Sequence, residues 1–345
     1  MIGLGMISGT FADALARIDQ PIKLKGVLST RQSTADAFLK EHFTGSTQPP
    51  IIYPDVTAIA TDDEIDFVII TTPPNAREAI VRVLAEAGKP ILMEKPIERT
   101  LDAATQLCQL CASHNIPLGI VLQHRTRPST YNLHDLLKTG AAGALQSVEI
   151  AVPWWREQSY YDEVGRGSYE RDGGGVMLTQ AIHILDLALQ FTGPVKDVIA
   201  LCTRTTAHTM EAEDFVSGGL RFANGAVGSV FCSTASFPGR TQHIALHYEN
   251  LSATLESDLL TVNWRDGRSE TFGTSAASGA GADPTAFKSD WHRFIIENFM
   301  SVLVGDAELL ASGESAIPVH ALIEALEQSG RSGQREVVKT IGKVT

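Results

Sequence analysis

The first 122 residues alternate short β-rich runs with stretches of helical spacing, and this alternation constrains the fold more than any other feature. Residues 22–28, 67–72, 90–94 and 118–122 read as strands. Residues 33–42 read as a helix with Ser33 as N-cap. Asn75 is placed to cap a second helix, with Glu78 closing a capping box and Gly88 ending it, and residues 101–114 form a third. Strand and helix in strict alternation require a parallel sheet with crossover helices. The nearly unbroken apolar run at 67–72 fits a strand covered on both faces.

Past residue 124 the pattern changes. Strand-like segments follow one another directly, and Asn224-Gly225 and Asp266-Gly267 are two-residue hairpin signals. One long apolar helix, residues 176–192, stops at Gly193-Pro194. Helices at 289–304 and 317–330 close the chain, and residues 274–282, rich in Gly, Ala and Ser, read as a mobile loop. The expectation is an α/β doubly wound domain over 1–123. An α+β domain with a largely antiparallel open sheet follows over 124–345, as 345 residues suit two domains.

Charge and cysteines exclude several functions. With 28 Lys+Arg against 40 Asp+Glu the net charge is −12, which argues against nucleic-acid binding. No apolar run is long enough to cross a membrane, and no secretory leader is visible at Met1. The four cysteines are no disulfide framework, and Cys108-x-x-Cys111 lies inside a helical stretch as ordinary buried thiols. His208, His243 and His247 show no ligand clustering, so no metal is expected. Together these features predict a soluble cytoplasmic protein acting on a small molecule.

The chain opens Gly3-Leu4-Gly5-Met6-Ile7-Ser8. Glycines at the first two positions of G-x-G-x-x-G let a strand turn sharply and bring backbone N–H groups, Met6 and Ile7 included, close to a pyrophosphate. The following helix adds a favourable dipole. Ser8 takes the third glycine position. Only Met1 and Ile2 precede the loop, too few for an ordinary strand of about five residues, which predicts that the natural chain or a tag begins upstream. The second strand ends in Ser29-Thr30-Arg31, with no carboxylate for a ribose. Arg31 is positioned to meet a 2′-phosphate, favouring NADP over NAD; alternatively it is a solvated loop arginine.

Thr179, His183, Asp186 and Gln190 interrupt the apolar helix at spacings of four, three and four. At ~100° per residue they share one narrow stripe. Such a stripe on an apolar helix marks either a face turned to a cavity or a satisfied core His–Asp pair. Asp186 could then orient the imidazole or bond a substrate hydroxyl. The segment Pro153-Trp154-Trp155-Arg156 through Tyr160-Tyr161 to Arg166-Gly167 offers aromatic faces and guanidiniums suited to a sugar ring, or to a carboxylate or phosphate on one; the alternative is a loop packing its own aromatics. Gln123 and Arg125, at the end of the last parallel strand, are expected beside the cofactor.

Glu94-Lys95-Pro96 sits at the carboxyl end of a parallel strand, where such sheets bind ligands. Taken with Gly3-Leu4-Gly5, Thr71-Thr72-Pro73-Pro74-Asn75-Ala76, Gly173-Gly174-Gly175 and His183-Ile184-Leu185-Asp186, in matching order over nearly the whole chain, it resembles the glucose-fructose oxidoreductase / inositol dehydrogenase (Gfo/Idh/MocA) family. That resemblance implies a nicotinamide dinucleotide, cradled also by Thr71, Thr72, Pro73, Asn75 and Glu94, and hydride transfer at a hydroxyl- or carbonyl-bearing carbon of a sugar or cyclitol. It implies Lys95 as a contact to cofactor and reacting hydroxyl, His183 as acid/base, and a homodimer or homotetramer. A non-sugar carbonyl or diol, or a non-catalytic regulator, remain the alternatives. Where many members carry Asp four residues before the histidine, this chain has Thr179, so Thr179 is read as a polar substrate or positioning contact.

Overall fold

The computed structural model of the chain describes residues 1–273 and 289–340; the loop expected at 274–282 lies outside them. Val68–Ile70, Ile91–Glu94 and Leu118–Val121 pair in parallel, every residue buried. Gly26–Val27 and Ile51–Ile52 form a second parallel pair. Ile2 bridges Leu28 on one side and Ile70 on the other, so Met1 to Gly3 act as the short central strand joining both halves. The Met1 ammonium is fully buried, donates to Gly26 O at 2.8 Å, and burial lowers its pKa to about 5.

Helices cover this sheet as the alternation required. Ser8–Ala16 follows the glycine loop and buries Phe11, Ala12 and Ala14. Leu101–Ser113 starts at Thr100, whose side chain accepts from Ala103 N, and its Cys108 and Cys111 are buried thiols that desolvation holds at about 12. Two helix starts differ from expectation. Gln32–Phe43 begins one residue before Ser33, with extended Arg31 at the cap position. Asn75 caps nothing: Pro73 and Pro74 fix the backbone early, a tight turn runs Pro74–Ala76, and the helix Arg77–Glu86 follows without a side-chain cap.

The remainder builds a nine-stranded sheet. Its order is Ser269–Phe272, Leu259–Trp264, Leu251–Glu256, His243–Tyr248, Leu145–Pro153, Val227–Ser233, Phe215–Phe222, Val195–Thr203 and Glu336–Val337. Neighbours run antiparallel except Leu145–Pro153 beside Val227–Ser233. Gly225 and Gly267 take positive φ in the two foreseen hairpins. Helix Ile182–Thr192, stopped by Gly193 at φ 71°, packs on the sheet together with Gly313–Ser332. Gly313–Ser332 is longer than expected and runs through Pro318. Ser289–Leu303 returns to the parallel sheet, where Ile295, Ile296 and Phe299 join Phe11, Ile69, Leu92 and Val121 in one core cluster. No helix of the described residues is long and apolar enough to cross a membrane.

Candidate active site

A cavity of about 300 Å³ opens between the carboxyl ends of the parallel strands and the first face of the larger sheet's helix. Its floor begins at the glycine loop. Gly3 is at φ +91°, and a Cβ there would lie 2.7 Å from Thr72 N, so the chain's own packing demands this glycine. Gly5 differs: a Cβ on it would meet no atom within 4 Å, and its side faces the cavity with Met6, Ile7 and Thr10. Space kept clear beside exposed loop amides is the form a pyrophosphate site takes. Ser8 Oγ donates to Gly5 O at 2.7 Å and ties the loop to the helix start.

Thr71, Thr72, Pro73 and Pro74 form the adjoining edge, then Glu94 and Lys95 from the next strand. Arg77, which the sequence reading did not single out, locks these edges together. Only 2% exposed, it donates to Thr72 O at 2.7 Å, to Glu94 O at 2.5 Å and to Pro96 O. Burial lowers its pKa to about 10. His320 Nε2 accepts from Ile97 N at 3.3 Å and pins the end of the same turn.

Lys95 spans the cleft. Its ammonium donates to Thr179 O at 2.7 Å. Thr179 lies in a π-helical turn, Met177–Ala181, that runs directly into Ile182–Thr192. Such turns recur at functional sites because they re-aim side chains without breaking the helix. The turn is anchored by Glu213, whose carboxylate accepts from Gly175 N at 2.9 Å and Met177 N at 3.1 Å. Gly175 is obligatory here, since a Cβ would sit 1.7 Å from Glu213 O. Thr179, Gln180 and His183 all line the cavity. The Thr179 hydroxyl bonds Gly175 O at 2.6 Å, so its carbonyl, rather than its side chain, makes the contact across the cleft.

His183 is 5% exposed and stacks against His124 with ring centroids 4.8 Å apart. Burial, and then the Lys95 charge, hold its pKa well below the usual 6.5. Burial also lowers Lys95, with Glu94 opposing. Arg127 donates to His124 Nε2 at 2.7 Å and stacks over Trp291 at 4.4 Å, bracing the ring behind His183. Thr72 Oγ1, Gln123 Oε1 and His183 Nδ1 are buried with no hydrogen-bond partner among the described residues. Three such atoms around one cavity fit a polar ligand completing them.

The opposite wall comprises Trp154, Arg156, Tyr160, Tyr161, Glu163, Arg166, Arg171 and Asp172. Arg156 lies over the Trp154 and Tyr160 rings at 5.5 and 5.7 Å, and Arg166 over Tyr160 at 4.4 Å. Arg166 and Arg171 share Glu163.

Several expected site residues stand elsewhere. Arg125 turns away from the cofactor side and donates to both carboxylate oxygens of Asp186, at 2.8 and 2.6 Å. Both carboxylate oxygens of Asp186 are taken up by Arg125, His183 Nδ1 has no partner among the described residues, and Asp186 does not line the cavity. The wider π turn changes the step between Thr179 and His183, whereas His183, Asp186 and Gln190 share the regular helix beyond it; there Asp186 is taken up by Arg125 and Gln190 is exposed. Trp155 alternates out of the wall, donating to Glu157 Oε1 at 2.8 Å, and the buried Trp154 lines the cavity instead. Asn75 and Arg31 are exposed; neither they nor Ser29, Thr30 and Gly3 contribute to the cavity surface. Trp154 and Tyr160, inside the expected aromatic segment, do line the cavity, whereas Arg171 was missed for lack of any spacing signal. Among the described residues no cluster of three or more His, Cys, Asp or Glu could hold a metal.

Comparison with known proteins decides the family. Residues 1–120 match the model of an oxidoreductase family with an NAD-binding Rossmann fold, and residues 131–254 match the GFO/IDH/MocA C-terminal domain. The chain belongs to the Gfo/Idh/MocA oxidoreductase family. It is an NAD-binding oxidoreductase with a Rossmann domain followed by a C-terminal domain. A D-apiose dehydrogenase of Paraburkholderia graminis is 25% identical over 84% of this chain and 77% of its own. A levoglucosan dehydrogenase of Pseudarthrobacter phenanthrenivorans is 25% identical over 58% of this chain and 57% of its own. Among solved structures, levoglucosan dehydrogenase with NADH and levoglucosan superimposes with a TM-score of 0.83 at 21% identity, covering 98% of each chain. The WlbA dehydrogenase of Bordetella pertussis with NADH and UDP-GlcNAcA does so at 0.82 and 23%, covering 99% and 98%. These two likenesses establish the shared fold.

Gly5, Met6, Ile7, Thr71, Thr72, Pro73, Glu94 and Gln123 bound the open space beside the glycine loop.

Proposed function

We propose that the protein transfers a hydride between a nicotinamide dinucleotide and a hydroxyl- or carbonyl-bearing carbon of a sugar, sugar derivative or cyclitol. The observation that carries this reading is convergence: Lys95 from a parallel-strand end and His183 from the π-turned helix line one cavity, bridged by the Lys95–Thr179 bond. The cofactor, when bound, supplies the hydride chemistry. His183 takes the hydroxyl proton during oxidation and returns it during reduction. Its lowered pKa keeps it neutral, and thus able to accept, across the physiological range. The Lys95 ammonium stabilises negative charge growing on the substrate oxygen. Arg156, Tyr161 and Arg166 flank the sugar, aided by Trp154 and Tyr160. Thr179 fixes Lys95 through its carbonyl.

Two of the similar proteins are named D-apiose dehydrogenase and levoglucosan dehydrogenase, and a third is in complex with UDP-GlcNAcA, which supports a carbohydrate substrate here. Arg31, exposed at the end of the second strand without a carboxylate nearby in sequence, favours NADP alongside NAD. A boundary after residue 123, cytoplasmic residence and a dimer or tetramer complete the reading. Ile199 and Leu201, 54% and 58% exposed on the large sheet, support association through that face. The test is NAD(P)H absorbance with a panel of aldoses, anhydrosugars, uronates and cyclitols. Turnover with one of them is expected; tight NADH binding without turnover would favour a regulator. Arg31→Ala should weaken NADP selectively, and equal loss for NAD would remove the 2′-phosphate role.

A further inference from the structure

Behind the aromatic wall, His208 and Asp214 form a pair whose side chains are both 0% exposed. His208 Nδ1 lies 2.7 Å from Asp214 Oδ2, and Nε2 lies 2.8 Å from Arg156 O. A carbonyl only accepts, so Nε2 donates to Arg156. A bare Nδ1 lone pair would oppose the carboxylate, so that nitrogen shares a proton with Asp214 as well. Asp214 also accepts from Thr205 N at 2.6 Å and Thr205 Oγ1 at 2.7 Å. Arg156 N donates to Thr234 O at 2.9 Å, and Thr234 N donates to Asp214 O at 3.0 Å. The Tyr161 hydroxyl bonds Thr234 Oγ1 at 2.7 Å. The peptide groups on both sides of Arg156 are therefore clamped, and both clamps lead to Asp214. The His208 ring further stacks on Tyr161 at 4.8 Å and Trp155 at 5.6 Å. His208, Asp214, Thr205 and Thr234 do not line the cavity, while Arg156 and Tyr161 do.

We propose that His208, held by Asp214, is a positioning residue that sets the substrate-side wall through the carbonyl of Arg156 and the ring of Tyr161. This rests on reading that wall as the substrate side. A buried, hydrogen-bonded His–carboxylate pair costs desolvation and is weak evidence for stability alone. Its geometric output here is one backbone carbonyl beside a cavity-lining guanidinium.

A double-mutant cycle tests the idea. His208→Phe keeps the stacked ring and removes both hydrogen bonds. It should raise KM for the sugar that the wild type oxidises by about tenfold, with kcat changed less than about threefold, the pattern of lost ground-state positioning. The dissociation constant for NADH, read by fluorescence, should stay within about twofold. His208→Gln, still able to donate, should recover much of the KM. In an Arg156→Met background, His208→Phe should add less than about a twofold change, because coupled residues are non-additive. An unchanged KM, or effects that multiply in the double variant, would overturn the proposal, as would NADH affinity falling in parallel. Should His208→Phe fail to fold, the same cycle with His208→Ala, which also removes both hydrogen bonds, decides on the same criteria. If the wild type oxidises no sugar, the sugar reading falls. The positioning role is then judged from a crystal structure of His208→Phe: a displaced Arg156 supports it, and an unmoved one refutes it.

Discussion

The two walls of the cavity are built in different ways. The wall from the parallel sheet is mostly backbone: loop amides, strand-end carbonyls and one lysine, with Arg77 lacing the carbonyls together from behind. The wall from the second half is mostly side chain: stacked aromatics and guanidiniums, held by buried charged groups such as Asp214 and Glu213. Backbone recognition suits a ligand part that does not vary, while a side-chain wall can be rebuilt for a new substrate without touching the sheet. Under the proposed function, the contrast assigns cofactor binding to one wall and specificity to the other.

Substitutions can break this contrast. The largest effect is expected at Arg77. Arg77→Met leaves three strand-end carbonyls without their buried donor and should lower unfolding free energy by about 3 kcal/mol, measured by urea denaturation. A loss confined to activity, with stability intact, would show that Arg77 does not lace the wall. Next is Gly5→Ala. Its Cβ meets no protein atom, so stability should hold within about 0.5 kcal/mol while NADH affinity falls about tenfold. A stable variant with full affinity would sever the loop from the cofactor.

The smallest effect concerns the foundations of the second wall. Burial, reinforced by Glu213, raises Glu327 from 4.5 to about 7. A folded-state pKa above the unfolded one means the folded state holds its proton longer. The stability from this group is then complete below about pH 4.5 and fades as pH climbs to about 7. Glu327→Gln should therefore flatten the fall in Tm between those pH values, by about 2 °C. Parallel curves for the two proteins would mean that burial of this carboxyl does not strain the fold.

Legibility followed the same division. Alternation, the glycine loop and the Glu94-Lys95-Pro96 turn are local in sequence, and the parallel sheet with its cavity edge emerged where they indicated. The long helix was also legible, down to its Gly193 stop. What escaped were features joining residues far apart in the chain. Arg125 lies 61 residues from Asp186, and no periodicity announces their ion pair, so Asp186 looked like a site residue. The π turn carries no composition signal, yet it alters the step between Thr179 and His183. Asn75 failed as a cap because two prolines had already set the backbone. Trp154 and Trp155 are adjacent and chemically identical, and only their placement at the strand end separates wall from surface.

The central claim is that His183 moves the proton while the parallel-sheet wall holds the dinucleotide. Its most direct measurement is the rate of NAD(P)H formation by His183→Ala in single turnover, alongside NADH binding to the same variant. The account predicts a fall of about 10³-fold in the rate with affinity for NADH within about twofold. A variant that turns over at the wild-type rate would contradict it.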